Sequence, residues 1–593
     1  MKSQIYLHTK KVIFSLVLLI TSSNLHSQKF LNVVNADKSV TTFDLFTSEI
    51  SFSPSGDLLV TQGVESPVQI AFSHGMKFRF NDSLTVAGIK NVSTILAVNC
   101  PTCDVKVAAG AELAINSPKT LKSIIVAPGA KLTFSSGNTL TATNGITLQS
   151  DATGTATLVD NTTNAPQAVT ANVQQYVEAG RNWYMSIPLA SGASSLLSRG
   201  TSVVCYDEPS GTWIAPAAGT LNKMQGYIQV ATSTPSVTGT TGTVDFTGEV
   251  NTGTHSINLS RTAGKTGFNL VGNPYPSYLD WNAVTKNNVS NTMWYRTKEG
   301  GVYKFYTYVA NEGAGVGSPA TVTNKIPPMQ AFWVRVNTEG TGSIAVDNTM
   351  RSHKDVAGNI MKAPKQATQQ LLRLQVSNGT NTDETVLYFN ANASDTFDQY
   401  DAQKRSNDEL SVPEIFTQVG TEQLVINGMN QVKYNTEIPI GFSTLTAVTN
   451  NSMSISANQI SNFETGTRII LIDKLNPSVE TEFSNGTAYN FSAPVTAPTT
   501  NRFSLLFRAP GVATGIDNAT KLNARVFVNI QNQIVIVAPE KATYSIYNAM
   551  GQIVNEGITT SNYQTSNYKL NTGVYFVQLS VNDQSEIQKV IIR

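Results

Sequence analysis

Charge is scarce in this chain of 593 residues: Asp, Glu, Lys and Arg together make up 14%, against about 25% in an ordinary soluble domain. The formal net charge of +1 leaves no electrostatic footprint for nucleic acid or an anionic membrane. Cysteine is rarer still, with Cys100, Cys103 and Cys205 making an odd number. Helical periodicity is almost missing, and no apolar run reaches the about 20 residues that a membrane-crossing helix needs. There is no Gly-x-Ser-x-Gly elbow, no His-Glu-x-x-His, no phosphate loop and no Rossmann glycine pattern. These absences remove the common routes to hydrolase, metalloprotease and nucleotide-dependent chemistry.

What is present suits strands and turns. Hydrophobic residues reach 40%, enough for packed cores, and 41 Gly and 23 Pro punctuate them. Polarity comes from Thr, Ser, Asn and Gln, a profile of extracellular β-rich proteins. At roughly 150 residues per domain, the length suggests about four domains. The expected fold class is all-β: a chain of β-sandwich modules with a short β-solenoid segment and a C-terminal sandwich.

The first 27 residues read as a secretory signal. Lys2, Lys10 and Lys11 precede the apolar stretch Val12 to Ile20, and Ser27 offers a small residue for cleavage. Cleavage there takes three lysines and no acid, lowering the formal charge from +1 to −2. Residues 28–90 alternate in the strand manner. Cys100-Pro-Thr-Cys103 has redox-motif spacing but precedes a strand-like run rather than a helix, so a loop disulfide or a reduced pair is expected.

Within residues 91–165 a repeat emerges. Val105 to Ile115 aligns with Ile125 to Phe134 at a Gly-Ala step, and Gly110 and Gly129 lie 19 residues apart. A looser copy runs through Gly145 to Leu148 and Thr155 to Leu158. A period near 20 fits one coil of a β-solenoid; two hairpins sharing turn chemistry are the alternative.

Residues 166–345 hold all five tryptophans. Gly267-Phe-Asn-Leu-Val-Gly-Asn-Pro-Tyr-Pro-Ser277 reads as a strand and a rigid turn, since each Pro fixes φ. This run resembles a module of large surface proteins of Bacteroidota, with Phe268 where that family often has Trp. Clustered aromatics suit sugar faces, making Trp281, Trp294, Tyr295 and Tyr303 glycan-binding candidates, with burial in a core as the competing reading. Residues 346–370 read as a linker, and strand patterns resume over 371–510 as a β-sandwich. Its acidic loop offers Asp395, Asp398 and Asp401 as Ca²⁺ candidates, although Asp also caps turns. No other cofactor and no other metal site is expected.

After a linker at 511–524, residues 525–593 make a compact strand series. Ile546-Tyr547 with Met550-Gly551-Gln552, then Gly573-Val-Tyr575-Phe-Val577, and the closing Lys589-Val-Ile-Ile592 resemble the type A C-terminal sorting domain of type IX secretion cargo. The usual opening Pro-Asn-Pro is missing; Ala524 to Asn529 stands there. The resemblance implies an Ig-like sorting sandwich marked by Gly551, Gly573, Tyr575 and Lys589, with the type IX machinery as partner. It also implies passage through the periplasm and across the outer membrane, then removal of this domain and surface attachment or release. Polysaccharide or other surface ligands are the further partners expected, and nucleic acid is not.

His74, His255 and His353 fall in separate segments, so no enzyme is expected. The functional expectation is a non-catalytic secreted surface protein acting in adhesion or surface structure. A carbohydrate-binding protein using residues 166–345, and an unrecognised glycan hydrolase with paired carboxylates, are the alternatives.

Overall fold

Gly110 and Gly129 both sit at φ +74°, and a Cβ at either would meet open space. These glycines serve the backbone turn, which L-residues enter at a penalty. Each turn leads from one parallel sheet into another. In the first sheet Ser83–Val86, Cys100–Val107, Lys119–Val126, Ile146–Leu148 and Thr170–Val177 lie side by side in sequence order; in the second, Ile89–Asn91, Glu112–Ile115, Lys131–Phe134 and Thr157–Asp160 do the same. This is a parallel β-solenoid. In this computed structural model the described residues run from 30 to 592, without several internal stretches of which 230–241, 354–368 and 511–523 are the longest. The signal read at residues 1–27 lies outside the described residues.

Register explains the repeat. Val86 pairs with Val107, Val107 with Val126, Val126 with Leu148, and Leu148 with Val173, giving a buried column through five coils. Leu113, Leu132 and Leu158 form its counterpart in the other sheet. In Glu112–Ile115 and Lys131–Phe134 buried and partly exposed positions alternate, as a pleat covered on one face demands. The corners carry their own ladder: Ala108 N donates to Val86 O, Ala127 N to Val107 O and Gln149 N to Val126 O, at 2.9–3.0 Å. The sequence shows two good copies; the structure adds a coil before them, starting at Ser83 inside the region read as N-terminal. The looser third copy is interrupted by a small hairpin, Ser150–Asp151 with Gly154–Thr155, which hides its period.

Cys100 and Cys103 form a disulfide with both residues buried. The strand pairing shifts there, from Leu121↔Cys100 to Ser123↔Asp104, so the short loop is absorbed as a bulge. Parallel stacking ends where Gly242–Glu249 pairs antiparallel with Thr170–Val177.

The Asn-Pro-Tyr-Pro turn closes the second sheet. Buried Asn273 donates from Nδ2 to Ser277 O and Pro327 O and accepts from Tyr275 N. Pro276 O accepts from Leu158 N at 2.8 Å, on the last coil. Arg351, buried over the Tyr275 ring at 4.5 Å, donates from Nη2 to Leu158 O at 2.7 Å and from Nε to Ser277 Oγ at 3.0 Å. His353 lies between Thr157 Oγ1 (2.6 Å) and Thr133 Oγ1 (3.0 Å). The stretch Arg351-Ser-His353, read from sequence as linker, is therefore a buried plug. Its polar residues gave no apolar period, and their partners lie far back in the chain.

The described residues divide into two compact units. One holds those up to Val289 and of 324–360; the other holds Ser290–Thr323 and those from 369 onward. The Trp-rich segment is thus divided, its hairpin Thr292–Glu299 with Val302–Val309 belonging to the second unit. There, strands from Leu371–Ser377 to Thr496–Arg508 make one continuous sheet. Its two ends share a core: Met453, Ile455 and Phe491 from one end cluster with Ile469, Leu471 and Phe483 from the other. A single sheet whose ends share a core has rolled into a sandwich.

Candidate functional site

The C-terminal strands form two small sheets. Arg525–Val528 pairs with Ile534–Val537, and Thr543–Asn548 pairs with Ile553–Ile558 and Gly573–Val581, the latter also with Gln584–Ile592. Val526, Val528, Ile534, Ile536, Ile546, Val577, Leu579, Val590 and Ile592 are among the side chains that fill the space between them.

The sequence marks take distinct places. Gly551 turns the chain at φ +79°, with Asn548 Oδ1 accepting from Met550 N (3.0 Å) and Gln552 N (2.9 Å). Gly573 opens its strand. Tyr575 is buried and donates its hydroxyl to Asn571 O at 2.9 Å, tying the strand to its entry loop. Lys589 pairs with Phe576 on the opposite, outward face, beside exposed Ile587. Gly551 thus serves an exposed turn, Tyr575 the core and Gly573 the start of a strand, while Lys589 presents a charged side chain to water.

The glycan candidates lie elsewhere and apart. Trp281 is fully buried, edge-on to Phe332 at 5.6 Å, with Lys286 Nζ 4.2 Å over its ring. Burial pulls Lys286 down to about 8. Trp294 is buried too and donates from Nε1 to Gln403 O at 3.0 Å. Neither ring has a face free for a sugar, which corrects their assignment as stacking platforms. Tyr295 and Tyr303 are half-buried in the second unit, where the Arg296 guanidinium lies 5.5 Å from the Tyr303 ring. The exposed tryptophan is Trp213, 42% accessible beside exposed Ile214. It sits on a hairpin turned at Gly211 and contacts Tyr206 at 5.4 Å and Trp333 at 5.7 Å. An apolar pair one residue after the Pro209-Ser-Gly211 turn was the available signal.

The acidic loop does not converge. Asp395 pairs with Lys433 at 2.6 Å. Asp398 accepts from Ser394 N and Tyr400 N, and buried Asp401 accepts from Asp398 N and Gly428 N, at 2.7–2.9 Å. Burial pushes the Asp401 carboxyl up to about 7. Asp398 and Asp401 cap turns while Asp395 makes an ion pair, and among the described residues no group of three or more His, Cys, Asp or Glu is placed to hold a metal. Cys205 is a half-buried free thiol, its pKa raised first by burial.

Residues 96–507 match the family described as domain of unknown function (DUF8693). The chain belongs to that family. In this DUF8693 chain the match runs from the solenoid through the Trp-rich segment to the end of the sandwich, so these regions are one family unit in sequence. Residues 525–593 match the secretion system C-terminal sorting domain. The protein is therefore type IX secretion cargo, exported to the cell surface or released. No helix of the described residues is long and apolar enough to cross a membrane. No curated protein matches. Among solved structures, a chain titled "Biofilm associated protein - BSP domain" aligns at 9% identity over 71% of this chain and 92% of that one, with a TM-score of 0.15.

Proposed function

We propose that this DUF8693 protein is a non-catalytic surface protein that contributes adhesion or surface structure once exported. The observation that carries the reading is the C-terminal sorting sandwich, matched in sequence and folded as a separate pair of sheets. The use of the polar side chains supports it. His353, Arg351, Asp398 and Asp401 all serve internal hydrogen bonds.

A second reading, carbohydrate binding, is favoured by Trp213, whose exposed ring stands beside Tyr206 and exposed Ile214. An aromatic face beside hydroxyl donors suits a sugar ring. The full exported protein is tested against a polysaccharide panel and for attachment to protein-coated and abiotic surfaces. Attachment without sugar binding supports the first reading. Sugar binding lost in Trp213→Ala, with the fold intact by circular dichroism, transfers support to the second. Release of shortened glycans overturns both and revives the hydrolase.

A further inference from the structure

The strands Arg525–Val528 and Ile534–Val537 are buried at every position. A small two-sheet sandwich covers only one face of such a strand pair, so something else covers the other. The side chains divide between two cores. Val526, Val528, Ile534 and Ile536 face the sorting sandwich. Phe527, Val535 and Val537 form a separate cluster with Ile470, Ile472 and Leu506, none more than 2% exposed.

Those last three belong to the large rolled sheet. Their neighbours Ile469, Leu471, Leu505 and Phe507 face that sheet's own core. Arg468-Ile-Ile-Leu-Ile-Asp473 is thus apolar on both faces for the same reason as the sorting strands: each covers the other. Polar contacts frame the apolar strip. Val528 N donates to Asn435 O at 3.0 Å, while Asn435 N donates to Phe507 O at 2.7 Å, so one residue bonds both sheets. Glu480 accepts from Arg508 Nη2 at 2.6 Å and lies 3.5 Å from Arg525 Nε.

We infer that the Ile470, Ile472 and Leu506 face is the docking surface for the chain's own sorting domain, and that it holds this domain without a covalent link. Cutting the chain between Pro510 and Ala524 then leaves the two pieces together, and departure of the domain requires this strip to open. The occupant is fixed by what is seated there: three apolar side chains on each side, in register with a backbone hydrogen bond and an Arg–Glu contact. Removal of the domain uncovers an apolar strip on a protein whose charge is otherwise sparse.

The test uses the full chain with a site-specific protease sequence inserted between Pro510 and Ala524, cut to completion and passed over gel filtration at micromolar concentration. The expected result is one peak containing both pieces, with Ile470→Asp raising the free sorting fragment at least tenfold. Separate elution of the wild-type pieces overturns the inference, as does self-association of the cut body with loss of the fragment. If Ile470→Asp fails to fold, the wild-type elution still decides.

Discussion

Strands of the solenoid and strands at the sandwich's outer face are both rich in Val, Ile and Leu, yet they are covered differently. In Lys131–Phe134 only Leu132 and Phe134 are buried; Lys131 and Thr133 are partly exposed. In Arg468–Asp473 every residue after Arg468 is buried. Alternation marks a strand with one covered face, and an unbroken run marks one covered on both. The second pattern, on an antiparallel sheet, is a sign of a neighbour beyond the domain's own core. Here that neighbour is the sorting sandwich.

The largest expected effect tests the alternating side. Phe134→Ala is expected to lower unfolding free energy by about 3–5 kcal/mol, while the outward Ile125→Thr stays within about 0.5 kcal/mol, both read by denaturant titration. On the unbroken run the two faces should respond alike: Ile469→Ala and Ile470→Ala each cost about 2–5 kcal/mol. A near-neutral Ile470→Ala would mean that the outer face is open, and would erase the contrast.

Smaller is the backbone effect at the corner. The Cβ of Gly129→Ala meets no neighbour, so its expected loss of about 1–2 kcal/mol is conformational. The sandwich strand Arg468–Asp473 needs no such turn within it.

The most gradual effect is with pH, and its sign separates the two units. Burial, the chief cause, with nearby Lys131 and Arg351 adding to it, holds His353 down to about 3, below the about 6.5 of an exposed imidazole. Between these values the unfolded chain binds a proton that the folded one refuses. As pH falls through that window this group therefore removes about 1.4 kcal/mol per pH unit. Asp401, raised to about 7, acts oppositely: above about 4 the unfolded chain releases a proton that the folded one keeps. Its contribution therefore improves as pH falls from about 7 to about 4. Between pH 7 and 5 the two contributions oppose each other, so in stability measured at these two values acidification should favour the fold more in His353→Gln than in the wild type, and less when Asp401 is replaced by Asn.

Much of this was legible because it is local. The Gly-Ala steps, the strand alternation and the Met550-Gly551-Gln552 turn each express their chemistry within a few residues. What escaped depends on distant pairs. Arg351 and His353 look like linker until Leu158, Thr133 and Thr157 are brought to them. Trp281 and Trp294 carry no sign of burial in their own neighbourhoods. Their covers are Phe332 and Lys286 for one, and the backbone of Gln403 for the other.

The Asn-Pro-Tyr-Pro turn has a consequence for length. A parallel stack offers, at its last strand, a row of backbone groups that would template another coil or another molecule. Here the last strand of the second sheet has Leu158 taken on both sides, its N–H by Pro276 and its carbonyl by Arg351. Proline cannot propagate a strand ladder, and a guanidinium cannot begin one. The Asn-Pro-Tyr-Pro turn is therefore a stop mark for the second sheet: with Arg351 it occupies the backbone groups of Leu158 through which a further coil would pair.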